Sequence, residues 1–180
     1  MLSAMIQYNP SRDIDQALTE HGFKRAQGYY VLETKDQKQL ARLEPQATPG
    51  EASIAFPGSL NMSEYTAIHL ALKGVLGELE GTIEDTNSLL GYLPTGEGAY
   101  IITNFSAWEL FLLRAKHQSM KGQKVKVLDP EGRVISEGLL MDYTESSTNG
   151  FGITECTLIT AAGEQTLSRP SLVIEPTGAW

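Results

Sequence analysis

Three histidines, His21, His69 and His117, one cysteine, Cys156, and twenty-two carboxylates are the groups through which this 180-residue chain could do acid–base, nucleophilic or metal chemistry. His69 falls one turn after Tyr65 and three residues before Leu72, at the edge of an apolar helical face. No second histidine follows at i+4 and no H-E-x-x-H occurs, so a helical zinc pair is excluded. The spacing predicts a structural histidine whose titration could act as a pH-sensitive joint. Glu109 and His117 share a helix face through Leu113, but at ~1.5 Å per residue they stand ~12 Å apart, so they form no acid–base dyad. His117 and His21 are expected near helix C-termini, where positive charge is favourable.

The remaining templates fail on spacing. Cys156 sits mid-strand between Glu155 and Thr157 and reads as a small core hydrophobe. No G-x-S-x-G elbow is present. The glycine loop Pro94–Gly98 precedes a strand, lacks a Gly-Lys-Ser/Thr ending, and carries Glu97 where phosphate would sit. Asp142 and Glu145 do not have the ligand spacing of a calcium loop. The expectation is therefore no catalytic residue, no metal and no cofactor, with an enzyme assembled around His69 or His117 kept as an alternative.

Charge is distributed unevenly along the chain, which has a net −8. Residues 1–48 balance, residues 49–113 carry one basic against eight acidic groups, residues 114–126 carry five basic and no acidic groups, and residues 127–180 carry two against eight. The bulk charge argues against general nucleic-acid binding. Glu64, Glu78, Glu80, Glu84 and Asp85 fall on or near one helix and suggest attraction to a basic protein partner. Arg114, Lys116, Lys121, Lys124 and Lys126 admit two readings. They complement a helix end and protect an edge strand, or, with Tyr143 and Phe151 nearby, they hold a nucleic-acid backbone and stack bases.

These groups must be positioned by an α+β chain. A first helix is expected over 13–21, capped by Ser11 and stopped at Gly22. A hairpin follows at 29–33 and 40–43, then a loop over 45–50 and a strand over 52–56. The clearest helix runs over 61–80, with an Asn61/Glu64 capping box and the stripe Tyr65, Ile68, Leu72, Val75, Leu76 and Leu79. Gly74 and Gly77 interrupt it, which points to close packing, and Gly81 ends it. A short helix from Thr82 to Leu90 and a strand over 99–103 come next. Ser106-x-x-Glu109 then opens a helix over 107–117 whose Trp108–Leu113 run is apolar nearly all round. Such a rod is expected to be wedged dry between two layers, or at a protomer interface.

From Gly122 the texture changes to four extended runs, 124–128, 133–143, 151–160 and 165–174. They are joined by turns at 129–132, 147–150 and 161–164, with Asn149-Gly150 the sharpest. Four twisted strands in so short a segment must curl or dock, and Gly138 is expected to bend the second. In strand count and hairpin spacing the pattern resembles SH3-like small barrels. The expected organisation is N-terminal helices with short strands over 1–119, then a small antiparallel β-barrel or meander over 120–180. No run reaches the ~20 apolar residues of a membrane span and the N-terminus lacks a signal-peptide pattern, so the expected location is the cytoplasm. The function class that fits is a non-enzymatic acidic binding or adaptor protein with a protein partner, an inhibitor of a basic protein being one concrete form. Weak RNA or single-stranded DNA binding through 114–126 is the alternative. Oligomeric state and the role of Trp180 are left open by the sequence.

Overall fold

The computed structural model describes residues 1–146 and 151–178, a mixed α+β chain with three helices and twelve strands among the described residues. The turn expected at Ser147–Gly150 and the tail residue Trp180 lie outside the described residues. Two compact units are present, Met1–Glu109 and Leu110–Trp180. The division falls inside the third helix rather than at residues 119–123, where the sequence texture changes.

The first unit is built on a six-stranded antiparallel sheet. Its strands are β1 (Leu2–Gln7), β2 (Phe23–Arg25), β3 (Tyr30–Glu33), β4 (Gln39–Pro45), β5 (Glu51–Phe56) and β6 (Thr82–Glu84), in the spatial order β2-β3-β4-β5-β1-β6. β1 lies inside the sheet between β5 and β6, and its period-two pattern buries Ala4 and Ile6 while Ser3, Met5 and Gln7 face out. Helix α1 (Ile14–Glu20) buries Ala17 and Leu18. Its cap is Asp13, which accepts the Gln16 N–H, not Ser11, because only Asp13 stands three residues before a free first-turn donor. Gly22 stops the helix at φ +87° and lets the buried Phe23 turn back into β2.

Helix α2 (Met62–Glu78) has the expected capping box, with Asn61 Oδ1 accepting the Glu64 N–H and the Glu64 carboxylate accepting the Asn61 N–H. Tyr65, Ile68, His69, Ala71, Leu72 and Val75 are buried along it. Fully burying one such aliphatic side chain stabilises a fold by about 1.5–3 kcal/mol, far more than helix propensity contributes. The left-handed residue at its C-terminus is Glu80, at φ +50°, and the Gly81 N–H reaches back to the Leu76 carbonyl at 2.8 Å. Glycine is thus not the stop; it is the residue after the stop.

Two sequence expectations are corrected between α2 and the third helix. Thr82–Glu84 extends as β6 against β1 instead of starting a helix, and only Thr86–Ser88 forms a single 3₁₀ turn. The β-branched Thr82 and Ile83, held beside an open strand edge, win over the local capping pattern. The expected strand over 99–103 shrinks to β8 (Gly98–Ala99), paired with β7 (Gly91–Tyr92). Helix α3 (Phe105–Ser119) begins one residue before Ser106, so Ser106 lies inside the first turn and is not a cap. The helix is entered instead through Asn104 at φ +60°. Phe105 and Trp108 are buried, whereas Leu110, Phe111, Leu112 and Leu113 are only half-buried, so the rod is not dry along its length.

In the second unit, β9 (Lys124–Leu128), β10 (Val134–Glu145), β11 (Ile153–Thr160) and β12 (Gly163–Pro176) form an antiparallel sheet whose pairings close on themselves. The first part of β12 pairs with β11 and the last part with β9. Within the β11 pairing the register jumps from Glu155↔Ser168 to Ile153↔Leu172, with Pro170 in the gap and Ser171 at φ +58°. The enclosed core is Met120, Val125, Val127, Leu140, Ile153, Cys156, Leu158, Leu172 and Ile174. Gly138 is not the bulge in β10; the register shifts flank Ile135 and Met141. What Gly138 permits is a close backbone approach, since a Cβ there would stand 2.6 Å from the Ile159 carbonyl oxygen.

The two helix-interior glycines separate cleanly. A Cβ at Gly74 would meet the His21 ring at 2.3–2.7 Å, whereas a Cβ at Gly77 meets nothing within 4 Å. Gly77→Ala is therefore expected to stabilise the protein by about 1 kcal/mol, and Gly74→Ala to destabilise it by about 1–3 kcal/mol through overpacking. Urea midpoints of the two variants check this, and equal shifts would contradict the packing role of Gly74.

Candidate functional site

His69 is held on two sides inside the first unit. Its Nδ1 donates to the Ile101 carbonyl at 2.8 Å, and its ring stacks on Phe105 with centroids 4.3 Å apart and planes 13° apart. The partner is a carbonyl, not a carboxylate, so the pair does not form the acid–histidine arrangement of a general base. His21 pairs through Nε2 with Glu78 at 2.8 Å over the Gly74 gap. In the second unit, His117 Nδ1 donates to the Leu113 carbonyl at 2.8 Å, and its ring meets Phe151 at 4.7 Å and Tyr143 at 5.9 Å. Cys156 is enclosed, and burial, with Glu155 beside it, pushes its thiol up to about 11, which leaves it protonated at neutral pH. Glu109 stands 2.7 Å from Thr66 Oγ1, a hydroxyl also 2.9 Å from the Met62 carbonyl, so its single proton serves one acceptor at a time.

The five acidic residues expected to greet a basic partner are not gathered into one free face. Glu64 closes the α2 cap and pairs with Lys38, which holds its carboxyl below the usual range. Glu80 is held low by Arg12 first and by Asn9. Glu78 carries His21, and Glu84 accepts from Thr86. Asp85 is only 4% exposed: one oxygen accepts the Ile102 and Thr103 N–H groups, each at 2.8 Å, and the other accepts the Thr103 hydroxyl at 2.9 Å. It builds the turn that launches α3. Beside it, Ser88 donates to the Asp85 carbonyl and accepts the Ile101 N–H.

The basic segment is similarly occupied. Arg114 bonds Glu145 at 2.9 Å, Lys121 bonds Asp142 at 2.6 Å and lies 5.1 Å over the Tyr143 ring, and Lys126 stands 4.0 Å from Glu137. The Lys121–Asp142 bond raises the lysine's pKa and lowers the aspartate's. Burial, then Glu145, pushes the Tyr143 phenol up. Tyr143 and Phe151 face His117 and are half-buried, so neither is an open stacking platform. Lys116 and Lys124 are exposed with no ion pair among the described residues.

Two features escaped the sequence reading. Asp129, at the β9–β10 turn, accepts the Glu131 and Arg133 N–H groups and the Arg133 guanidinium, and its pKa is lowered, chiefly by the Arg133 backbone N–H. The turn composition could have shown this, since Asp before Pro commonly bonds its own backbone two residues on. The second is a groove of about 490 Å³ on the outer side of the second unit, lined by Gly122, Lys124, Glu137, Gly138, Leu139, Ile159, Thr160 and Ala161. Of its lining residues, Leu139 and Ile159 are 43% and 37% exposed. The alternation of β10 and β11 marks both as outward apolar residues, but only the pairing register puts them side by side.

No protein-family model, curated protein or solved structure matches the chain. Among the described residues there is no group of three metal-ligating side chains, and no helix is long and apolar enough to cross a membrane.

Two expectations test this geometry. Asp85→Ala is expected to cost about 1–3 kcal/mol, because it strands part-buried donors at residues 102–103; a loss under about 0.5 kcal/mol in urea unfolding would show the turn holds without it. Asp129 has a depressed folded pKa, so its stabilisation is present above its ordinary value of 3.8 and is lost as the pH falls from there through the folded value. Asp129→Asn should therefore flatten the acid limb of a melting-temperature profile below about pH 4, and an unchanged limb would refute the assignment.

Proposed function

We propose that this is a non-enzymatic binding protein that acts by protein–protein contact, with the second unit an SH3-like small barrel that presents the contact face. The observation that carries this reading is the exposed apolar groove at Leu139 and Ile159. Large apolar side chains left open beside one another on a folded surface mark interaction sites. The polar groups support it from the other side. His21, His69 and His117 each have a partner that fixes the ring, and the Cys156 thiol is buried and held protonated. A single buried thiol also suits a reducing, cytoplasmic setting.

This reading puts the contact on the barrel face rather than on the acidic stretch. Glu64 and Asp85 are committed to a cap and a turn, which takes two of the five acidic residues out of any face offered to a basic partner. Nucleic-acid binding loses most of its support for the same reason. With Arg114, Lys121 and Lys126 beside carboxylates, about two lysines remain for phosphates, and single-stranded binding would show a log–log salt slope of only about −1.4.

A photo-cross-linking residue at position 139 is expected to give discrete adducts with a polypeptide chain in native lysate, while one at the exposed Lys35 gives none. Ile159→Asp should remove those adducts, and their yield should change little with added salt, because the contact is centred on aliphatic groups. The same adducts from both positions, or none from position 139, would refute the reading.

A further inference from the structure

The pairing register of the second unit aligns four side chains in one transverse row. Lys124 stands opposite Leu139, Leu139 opposite Ile159, and Ile159 opposite Glu164. Cross-strand partners point to the same face of a sheet, and all four residues are exposed. Three of them line the groove. With adjacent strands ~4.8 Å apart, the row runs ~14 Å across the sheet. A cation stands at one end, a carboxylate at the other, and two aliphatic side chains lie between. Neither Lys124 nor Glu164 has an ion pair among the described residues.

This order is its own complement under a two-fold rotation. Turned end for end, the row sets Lys124 against the partner's Glu164, Leu139 against the partner's Ile159, and the same pairs again in reverse. A two-fold contact between identical chains requires such a self-complementary patch. We propose that the row is the isologous contact through which two copies of this chain associate. The proposal rests on the reading of this face as a protein-binding surface and names its partner.

The two kinds of residue would do different work. The aliphatic pair at the centre loses water and supplies the attraction. The two charge pairs at the ends remain partly wet, so they contribute little affinity but select the register, because sliding one copy by a strand sets charges against aliphatic side chains and setting the rows in the same direction brings lysine to lysine and glutamate to glutamate. The row is smaller than the ~800 Å² per partner of a standard interface, so the dimer is weak and reversible rather than obligate.

Sedimentation velocity of the full chain from ~2 to ~200 µM tests the proposal in the range where such contacts assemble. The expected result is a concentration-dependent shift towards twice the chain mass that Leu139→Asp and Ile159→Asp each abolish. Lys124→Glu and Glu164→Lys should each weaken association by ~10-fold, and the double charge swap should restore it to within ~3-fold of the original. That rescue separates a contact from a general change in the fold or net charge. A chain that is monomeric throughout overturns the proposal, as does a dimer indifferent to these substitutions. A monomer that still gives heterologous adducts from position 139 sinks self-association and leaves the binding-protein reading standing, whereas no adducts of any kind removes both.

Discussion

A ribbon of four antiparallel strands closes on itself only if its two edge strands also pair, and β12 reaches β9 after a register break at Arg169–Ser171. Before the break it pairs with β11; after it, Leu172 still stands opposite Ile153 of β11 and Val173–Pro176 pair with β9. The break falls at Pro170, which has no N–H to donate to a ladder, and at Ser171, whose φ of +58° turns the chain. Closure brings Leu172 and Ile174 down onto Val125, Val127, Leu140 and Leu158, so the hydrophobic core of this unit exists because the strand bends. It also removes open edges that β9 and the end of β12 would otherwise present. Gly138 belongs to the same constraint: any side chain there would collide with the Ile159 carbonyl and hold β10 away from β11.

The carboxylates show how composition and surface can diverge. Asp85 and Asp129 are both buried, and both do one task, accepting backbone N–H groups of a tight turn, seventeen and eighteen residues on for Asp85 and two and four residues on for Asp129. Glu64 does the same at the head of α2. Each of these charges counts towards the net −8, yet none is available to attract a partner. An acidic segment can therefore be acidic for internal reasons. Burying a carboxylate is favourable only when such donors surround it, and the turn preceding α3 supplies three.

Legibility in the sequence followed the range of the forces involved. The four strands of the second unit were readable because turn residues at Asp129–Gly132 and Ala161–Glu164 punctuate alternating apolar runs, which are local patterns. The α2 cap was readable because Asn61 and Glu64 need only each other. β1 escaped notice because its alternation is carried by the small Ala4 and by Ile6, and its burial comes from β5 and β6, far away in sequence. Thr82–Glu84 was misread because its local pattern permits a helix start, while the edge of β1 decides the outcome. At Ser106 the box motif was present in sequence, but Phe105 is drawn into the core and pulls the first turn forward by one residue.

The candidate site was less legible than the fold because it depends on register, which single residues do not encode. Lys124 was visible as a charge and Leu139 and Ile159 as outward apolar positions, but their alignment is set by bulges. The shift beside Ile135 aligns β10 with β9, and the one beside Met141 sets how its far half meets β11. The two-residue turn at Ala161–Ala162 then fixes Ile159 opposite Glu164. A slip of one residue in any of these pairings would turn an aliphatic side chain inward or a charge away from the row. The buried face resists such slips, since Leu140 and Leu158 would have to leave the core together. The order of charge and apolar groups on the outside is thus held by packing on the inside.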